Sequence, residues 1–191
     1  KLSKRHGATS VIEYKKDYLP GVLVNFIGFL GFTFSREILS KEDMIKEFDL
    51  AKVHKSGAVF NIEKLNWINA QYVKRMDPQA FKELVGKKKL PDAALPLITE
   101  RLERLSDVEG FSYFWREPDY DTELLRWKET TPKQLSDALS AVKELFGNAD
   151  VADKDEVRKQ LDALGTTHGN RGVVYWPLRV ALTGKKTSPD P

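Results

Sequence analysis

The residues best suited to chemistry stand at the start of the chain. Lys1-Leu2-Ser3-Lys4-Arg5 puts two ammonium groups, a guanidinium and a hydroxyl into five positions, with Lys15 and Lys16 close behind. Such a cluster suits a polyanion partner, although an ordinary solvated surface also carries such groups. Other chemistries are poorly supplied. The chain has no Cys, so it has no disulfide, thiolate zinc site or cysteine nucleophile. His6, His54 and His168 are far apart and none lies in an HExxH pattern, so no metal site is expected. Lys87-Lys88-Lys89 reads first as a solvated linker and second as a phosphate contact. Phe111, Tyr113, Phe114 and Trp115 could stack on bases. Without sheet patterning or interleaved arginines they read as core.

Composition limits the class further. The 191 residues are 41% hydrophobic and 10% aromatic, which suits a packed core and excludes wholesale disorder. The net charge of +3 is uneven: residues 1–77 carry +4, 78–131 carry −2 and 132–191 carry +1. The longest apolar run, around Val22–Leu30, is too short to span a bilayer, and no N-terminal signal pattern is present. No membrane partner is expected, and a reducing compartment is the default.

The elements that must position these groups read as a series of helices. Ser10 caps a short helix. Pro20 opens the next and Gly31 closes it. That helix has almost no polar face, which predicts burial or coverage on every side. Ser40 with Asp43 forms a capping box. Asn61 caps a helix whose stripe is Ile62, Leu65, Ile68, Tyr72 and Met76. Asn66, Trp67 and Asn69 lie off that stripe; they could face a partner, but the first expectation is plain surface or secondary packing. Asp77-Pro78 and Thr131-Pro132 are cap-plus-proline starts and mark the expected domain boundaries. Pro91 opens a helix with Leu95, Ile98, Leu102 and Leu105 on one face, from which Arg101 and Arg104 project elsewhere. Leu135, Leu139, Val142 and Phe146 form a stripe stopped by Gly147. Asp153 with Glu156 opens another helix, stopped by Gly165. Pro177 must begin or kink the last helix, Gly184 ends it, and residues 184–191 read as a turn-rich tail.

The N-terminal pentapeptide and three separated blocks carry a resemblance. Lys1-Leu2-Ser3-Lys4-Arg5 resembles the KMSKS-type signature of class I aminoacyl-tRNA synthetases. Asp17-Tyr18-Leu19-Pro20-Gly21 with the apolar run to Phe32, and Phe48-Asp49-Leu50 followed by Lys64-Leu65-Asn66-Trp67-Ile68-Asn69, are similar to blocks that follow this loop in glutamyl-tRNA synthetases. Pro177-Leu178-Arg179-Val180-Ala181-Leu182-Thr183-Gly184 with Thr187-Ser188-Pro189 is similar to that family's PLRVALTG…SP block. On these residues the chain is identified as resembling the C-terminal portion of a bacterial-type glutamyl-tRNA synthetase.

The resemblance implies a mainly α fold: a stem-contact helical region over 1–77, then two helical anticodon-binding subdomains (a helix cage) over 78–131 and a truncated 132–191. It implies the tRNA-recognition part of a ligase that activates glutamate with ATP and transfers it to tRNA. The catalytic domain precedes this loop in the family, so the piece alone is expected to be inactive and to hold no bound cofactor. ATP with Mg2+ belongs to the full-length enzyme. Lys4 matches the lysine that binds ATP, with Lys1, Leu2, Ser3 and Arg5 completing the motif. Arg179 matches an arginine that contacts the anticodon, and Ser188 and Pro189 match a pair lining that pocket. Arg101 and Arg104 are both candidates for an arginine that reads an anticodon base in some members. The implied partner is glutamate tRNA, with glutamine tRNA left open, and the implied state is a cytoplasmic monomer without a metal site. A non-catalytic RNA-binding module derived from a synthetase C-terminus is the alternative reading.

Overall fold

The computed structural model describes residues 10–55, 57, 59–148 and 153–189. Lys1, Leu2, Ser3, Lys4 and Arg5 lie outside the described residues. Among the described residues the regular elements are all helical, and no helix is long and apolar enough to cross a membrane. The chain divides into two compact units, Lys1–Phe114 and Trp115–Pro191. The expected boundaries at Asp77 and Thr131 fall at helix starts inside these units.

In the first unit, α1 (Val11–Tyr14), α2 (Pro20–Gly31), α3 (Lys41–Glu47) and α4 (Ile62–Lys74) follow the local cap chemistry. Ser10, Ser40 and Asn61 each accept a backbone N–H of the first turn. α2 packs on α4 through Tyr18, Val22, Phe26, Leu65 and Ile68. The Phe26 and Phe60 rings meet edge to face at 4.9 Å. A second small cluster joins Phe32, Phe34, Leu39 and Met44. Burial of α2 is one-sided: Val24 is 47% exposed and Ile27 57%. Neither residue belongs to the clusters that α2 forms with its neighbours.

After α5 (Pro78–Leu84), capped by Asp77, the helix expected from Pro91 is broken. A 3-10 turn at Asp92–Ala94 leads to α6 (Leu95–Thr99), and a kinked 3-10 stretch follows at Leu105–Phe114. The cause is Pro96. In one continuous helix its ring would clash with the Asp92 carbonyl and its missing N–H would break the ladder. Restarting at Leu95 puts Pro96 in a first turn, where no N–H is needed. The apolar stripe survives the break, because Leu95, Ile98, Leu102 and Leu105 are all buried. Lys82 is only 8% exposed and its ammonium is 2.6 Å from Asp92. Lys87, expected in a solvated linker, is 2.7 Å from Glu109.

The second unit is built from α7 (Pro132–Asn148), α8 (Lys154–Thr167) and α9 (Arg171–Thr183). Thr131 and Gln134 form a reciprocal box at the start of α7. The core joins Ala138, Val142, Leu161, Val173, Val174 and Leu178. Of the expected stripe, Val142 is buried in this core and Phe146 packs against it, whereas Leu135 and Leu139 are only half-buried and Ala138 is buried beside them. Gly165 does not stop α8, which runs on to Thr167. An added Cβ there would stand 2.9 Å from Arg171 Cα, so the glycine serves close approach of α9. Pro177 sits inside α9, whose helix continues on both sides. Gly184 closes α9 in the left-handed region at φ 68°, which a residue with a Cβ rarely adopts.

One local pair gives a pH prediction. The Ser35 hydroxyl and amide donate to the Glu47 carboxylate at 2.6 and 2.8 Å, holding it below the usual glutamate range. A depressed folded value contributes stability above the unfolded value, and that stability is lost as pH falls through the folded one. In Ser35→Ala, a carboxyl-detected NMR titration should place the Glu47 midpoint higher than in the parent chain.

Candidate nucleic-acid interface

The candidate arginines of the first unit follow α6. The Arg101 amide donates to Ile98 O at 3.0 Å, and its guanidinium donates to Leu97 O at 3.3 Å. The Arg104 amide donates to Asp107 Oδ2 at 2.8 Å, and its guanidinium lies 3.4 Å from Asp107 Oδ1. Both arginines are exposed. At the surface such an ion pair contributes little and leaves the cation able to exchange partners. The two residues are therefore solvent-facing cations on a loop held from behind.

What holds it is Asn69, a residue that sequence reasoning placed at the surface or in secondary packing. It is 0% exposed. Its amide donates to Glu103 O at 2.7 Å and to Asp17 O at 3.3 Å. Its carbonyl oxygen accepts from the Leu19 amide at 3.3 Å. The Leu105 amide adds a direct bond to Asp17 O at 2.9 Å. Outside this pin, the Tyr18 hydroxyl donates to Asn66 Oδ1 at 2.6 Å, and Asn66 donates to Glu103 Oε2 at 3.2 Å. Burial raises the Tyr18 phenol above its ordinary value, with the Arg104 charge opposing. No spacing rule announces this network, because its partners come from distant segments.

In the second unit, Arg179 lies half-buried on α9, where its backbone carbonyl accepts from the Thr183 hydroxyl at 2.7 Å. The left-handed turn at Gly184 brings the tail against the segment before α7: a Cβ on Gly184 would stand 3.2 Å from Pro118 Cβ. The Lys185 amide donates to the Thr183 hydroxyl at 3.2 Å. Ser188 is half-buried and donates to Pro189 O at 2.7 Å, while Pro189 is buried. The chain after α9 thus packs back on its own unit, and Arg179, Ser188 and Pro189 all belong to that unit.

Two cationic features of this unit had no sequence signal. Lys128 has φ 51° and places its ammonium 4.7 Å from the Trp127 ring centroid. Arg171 is tied down, 2.6 Å from Asp162, which also accepts from the Tyr175 hydroxyl at 2.7 Å. Among the described residues no group of three or more His, Asp or Glu side chains could hold a metal ion.

Comparison with known proteins points the same way. Residues 36–191 match the family described as "Anticodon binding domain", and residues 1–67 match "tRNA synthetases class I (E and Q), catalytic domain". The glutamate–tRNA ligase of Clostridium acetobutylicum is 35% identical, over 99% of this chain and 42% of the relative. That of Natranaerobius thermophilus is 30% identical, over 100% of this chain and 43% of the relative. A crystal structure of a glutamate tRNA ligase from Elizabethkingia meningosepticum in complex with its amino acid superposes with a TM-score of 0.78. It is 28% identical, over 100% of this chain and 44% of that one. The chain therefore spans less than half the length of these relatives.

Proposed function

The chain belongs to the anticodon-binding domain family of the tRNA synthetases, and from that premise we propose that it is the tRNA-recognition part of a glutamate–tRNA ligase. The observation that carries the reading is the family match over 36–191, which takes in Arg101, Arg104, Arg179, Ser188 and Pro189. Lysine and arginine side chains position the phosphate backbone, giving salt-dependent affinity. Arg179, with Ser188 and Pro189 from the same unit, reads a splayed anticodon base on its edge. Arg101 or Arg104 makes a further contact from the first unit. The partner is glutamate tRNA, with glutamine tRNA as a second substrate to be tested, and the working form is a cytoplasmic monomer.

The segment Lys1-Leu2-Ser3-Lys4-Arg5 lies within the catalytic-domain match and outside the described residues. Its donor set fits a polyphosphate: two ammonium groups, a guanidinium and a hydroxyl, with no carboxylate among the five. In the intact ligase Lys4 would bind ATP, supported by Lys1 and Ser3. ATP with Mg2+ would supply the activation of glutamate. The domain assignments are 1–77 as loop and stem-contact region, and 78–131 and 132–191 as anticodon-binding subdomains.

The test is fluorescence-anisotropy binding to glutamate tRNA and to the same tRNA with its anticodon replaced, across a salt series. The parent chain should prefer the cognate anticodon. Arg179→Ala should lose about tenfold in affinity for it, the scale of one base-edge contact, and bind both RNAs alike. Equal binding of both RNAs by the parent chain would overturn the anticodon reading.

A further inference from the structure

The buried amide of Asn69 joins two segments that the family matches assign to different domains. Asp17–Leu19 lies only in the catalytic-domain match, and Glu103–Leu105 only in the anticodon-binding match. Both amide hydrogens and the carbonyl oxygen of Asn69 are used on backbone groups of these segments. A buried amide with every group satisfied holds its partners in one geometry, because loss of any bond strands a desolvated polar group. Arg104 sits between two pinned residues. Glu103 is held by its carbonyl to Asn69 and by its carboxylate to Asn66. Leu105 is held by its amide to Asp17 O and by its buried side chain. The guanidinium between them is half exposed.

We propose that Asn69 is a positioning residue for tRNA binding, fixing the backbone from which Arg104 presents its guanidinium to the RNA. The inference rests on the tRNA-binding reading above. It assigns Asn69 no contact with RNA: it acts through Glu103 and, by way of Asp17, through Leu105. Tyr18 and Asn66 form the outer layer of the same device.

The test is a pair of double-mutant cycles on this chain, with tRNA affinity as the readout and thermal melting as the check on folding. Arg104→Ala should weaken glutamate tRNA binding about tenfold, the scale of a charge-assisted hydrogen bond. Asn69→Ala should weaken it about as much, and the double variant should be no weaker than either alone. Combined with Arg179→Ala, in contrast, the Asn69 loss should multiply. That outcome separates positioning of Arg104 from a general loosening of the chain. If Asn69→Ala does not melt cooperatively, Asn66→Ala takes its place. A loss of about threefold that vanishes in the Arg104→Ala background is then expected. The inference is overturned if folded Asn69→Ala or Arg104→Ala binds like the parent chain, or if their losses multiply. It is also overturned if Asn66→Ala, standing in, has no effect. A parent chain that binds no tRNA would instead bring down the functional reading, and this inference with it.

Discussion

Gly172→Val should destabilise the second unit by about 2–3 kcal/mol, the range for forcing extra carbon atoms into a packed site. Gly172 lies in the first turn of α9 under the Trp127 ring. An added Cβ would stand 2.8 Å from Cδ2 and closer still to Cε2 and Cζ2. The ring cannot yield cheaply. It packs on the core of the unit, and the Trp127 carbonyl accepts from both the amide and the hydroxyl of Thr130. Helix propensity pulls the other way, since removing a glycine from a helix gains at most about 1 kcal/mol. The clash wins, because that gain is smaller than the overpacking cost. Gly147→Ala is the control. It also replaces a helical glycine, but nothing lies within 4 Å of the added Cβ. That variant should be neutral or slightly stabilising. Urea unfolding followed by amide signals of the second unit, with the Trp127 indole N–H as a local reporter, gives both values. An unchanged midpoint for Gly172→Val would show that the ring relocates without cost.

Ile68→Ala should cost the first unit about 2–5 kcal/mol, by lost transfer energy plus the cavity left behind. Ile68 is 0% exposed and packs with Tyr18, Val22, Phe26 and Leu65. Its neighbours are fixed on two fronts: the α2–α4 contact on one side and the Asn69 pin one residue along. The cavity therefore has little room to collapse. Ile62→Ala, on the same helix and the same nominal stripe, should cost well under about 1 kcal/mol, because Ile62 is 46% exposed. Urea midpoints read from amide signals of the first unit test the contrast. Equal losses at the two positions would contradict this assignment of the core.

That contrast separates what periodicity could foresee from what it could not. A stripe at steps of three and four identifies residues on one side of a helix. It does not say how far along the helix the neighbour extends. Ile62 is the first residue of α4 and stays 46% exposed, and Met76 lies past its end. The same limit explains α7, where the partner helices cover Ala138 and Val142 but leave Leu135 and Leu139 half open. α2 gave a related miss. Its all-round apolar pattern predicts cover on every side, yet Val24 and Ile27 remain exposed.

Read alone, the sequence locates the helix starts that carry a capping side chain. Ser10, Ser40, Asn61, Asp77, Thr131 and Asp153 all cap the helices expected of them. It also determined the αL stop at Gly184 and, through motif likeness, the family confirmed by the matches over 1–67 and 36–191. These features are legible because their physics is local: a cap oxygen and its amide are two or three residues apart. Helix ends at glycine were less legible. Gly165 has the sequence look of a stop, but it is small so that α9 can approach. The role of Asn69 follows from long-range packing. Its bonding partners are 34, 50 and 52 residues away. Whether an asparagine beside a helical stripe meets water or three backbone groups depends on which segments pack there, and nothing within one helical turn specifies that.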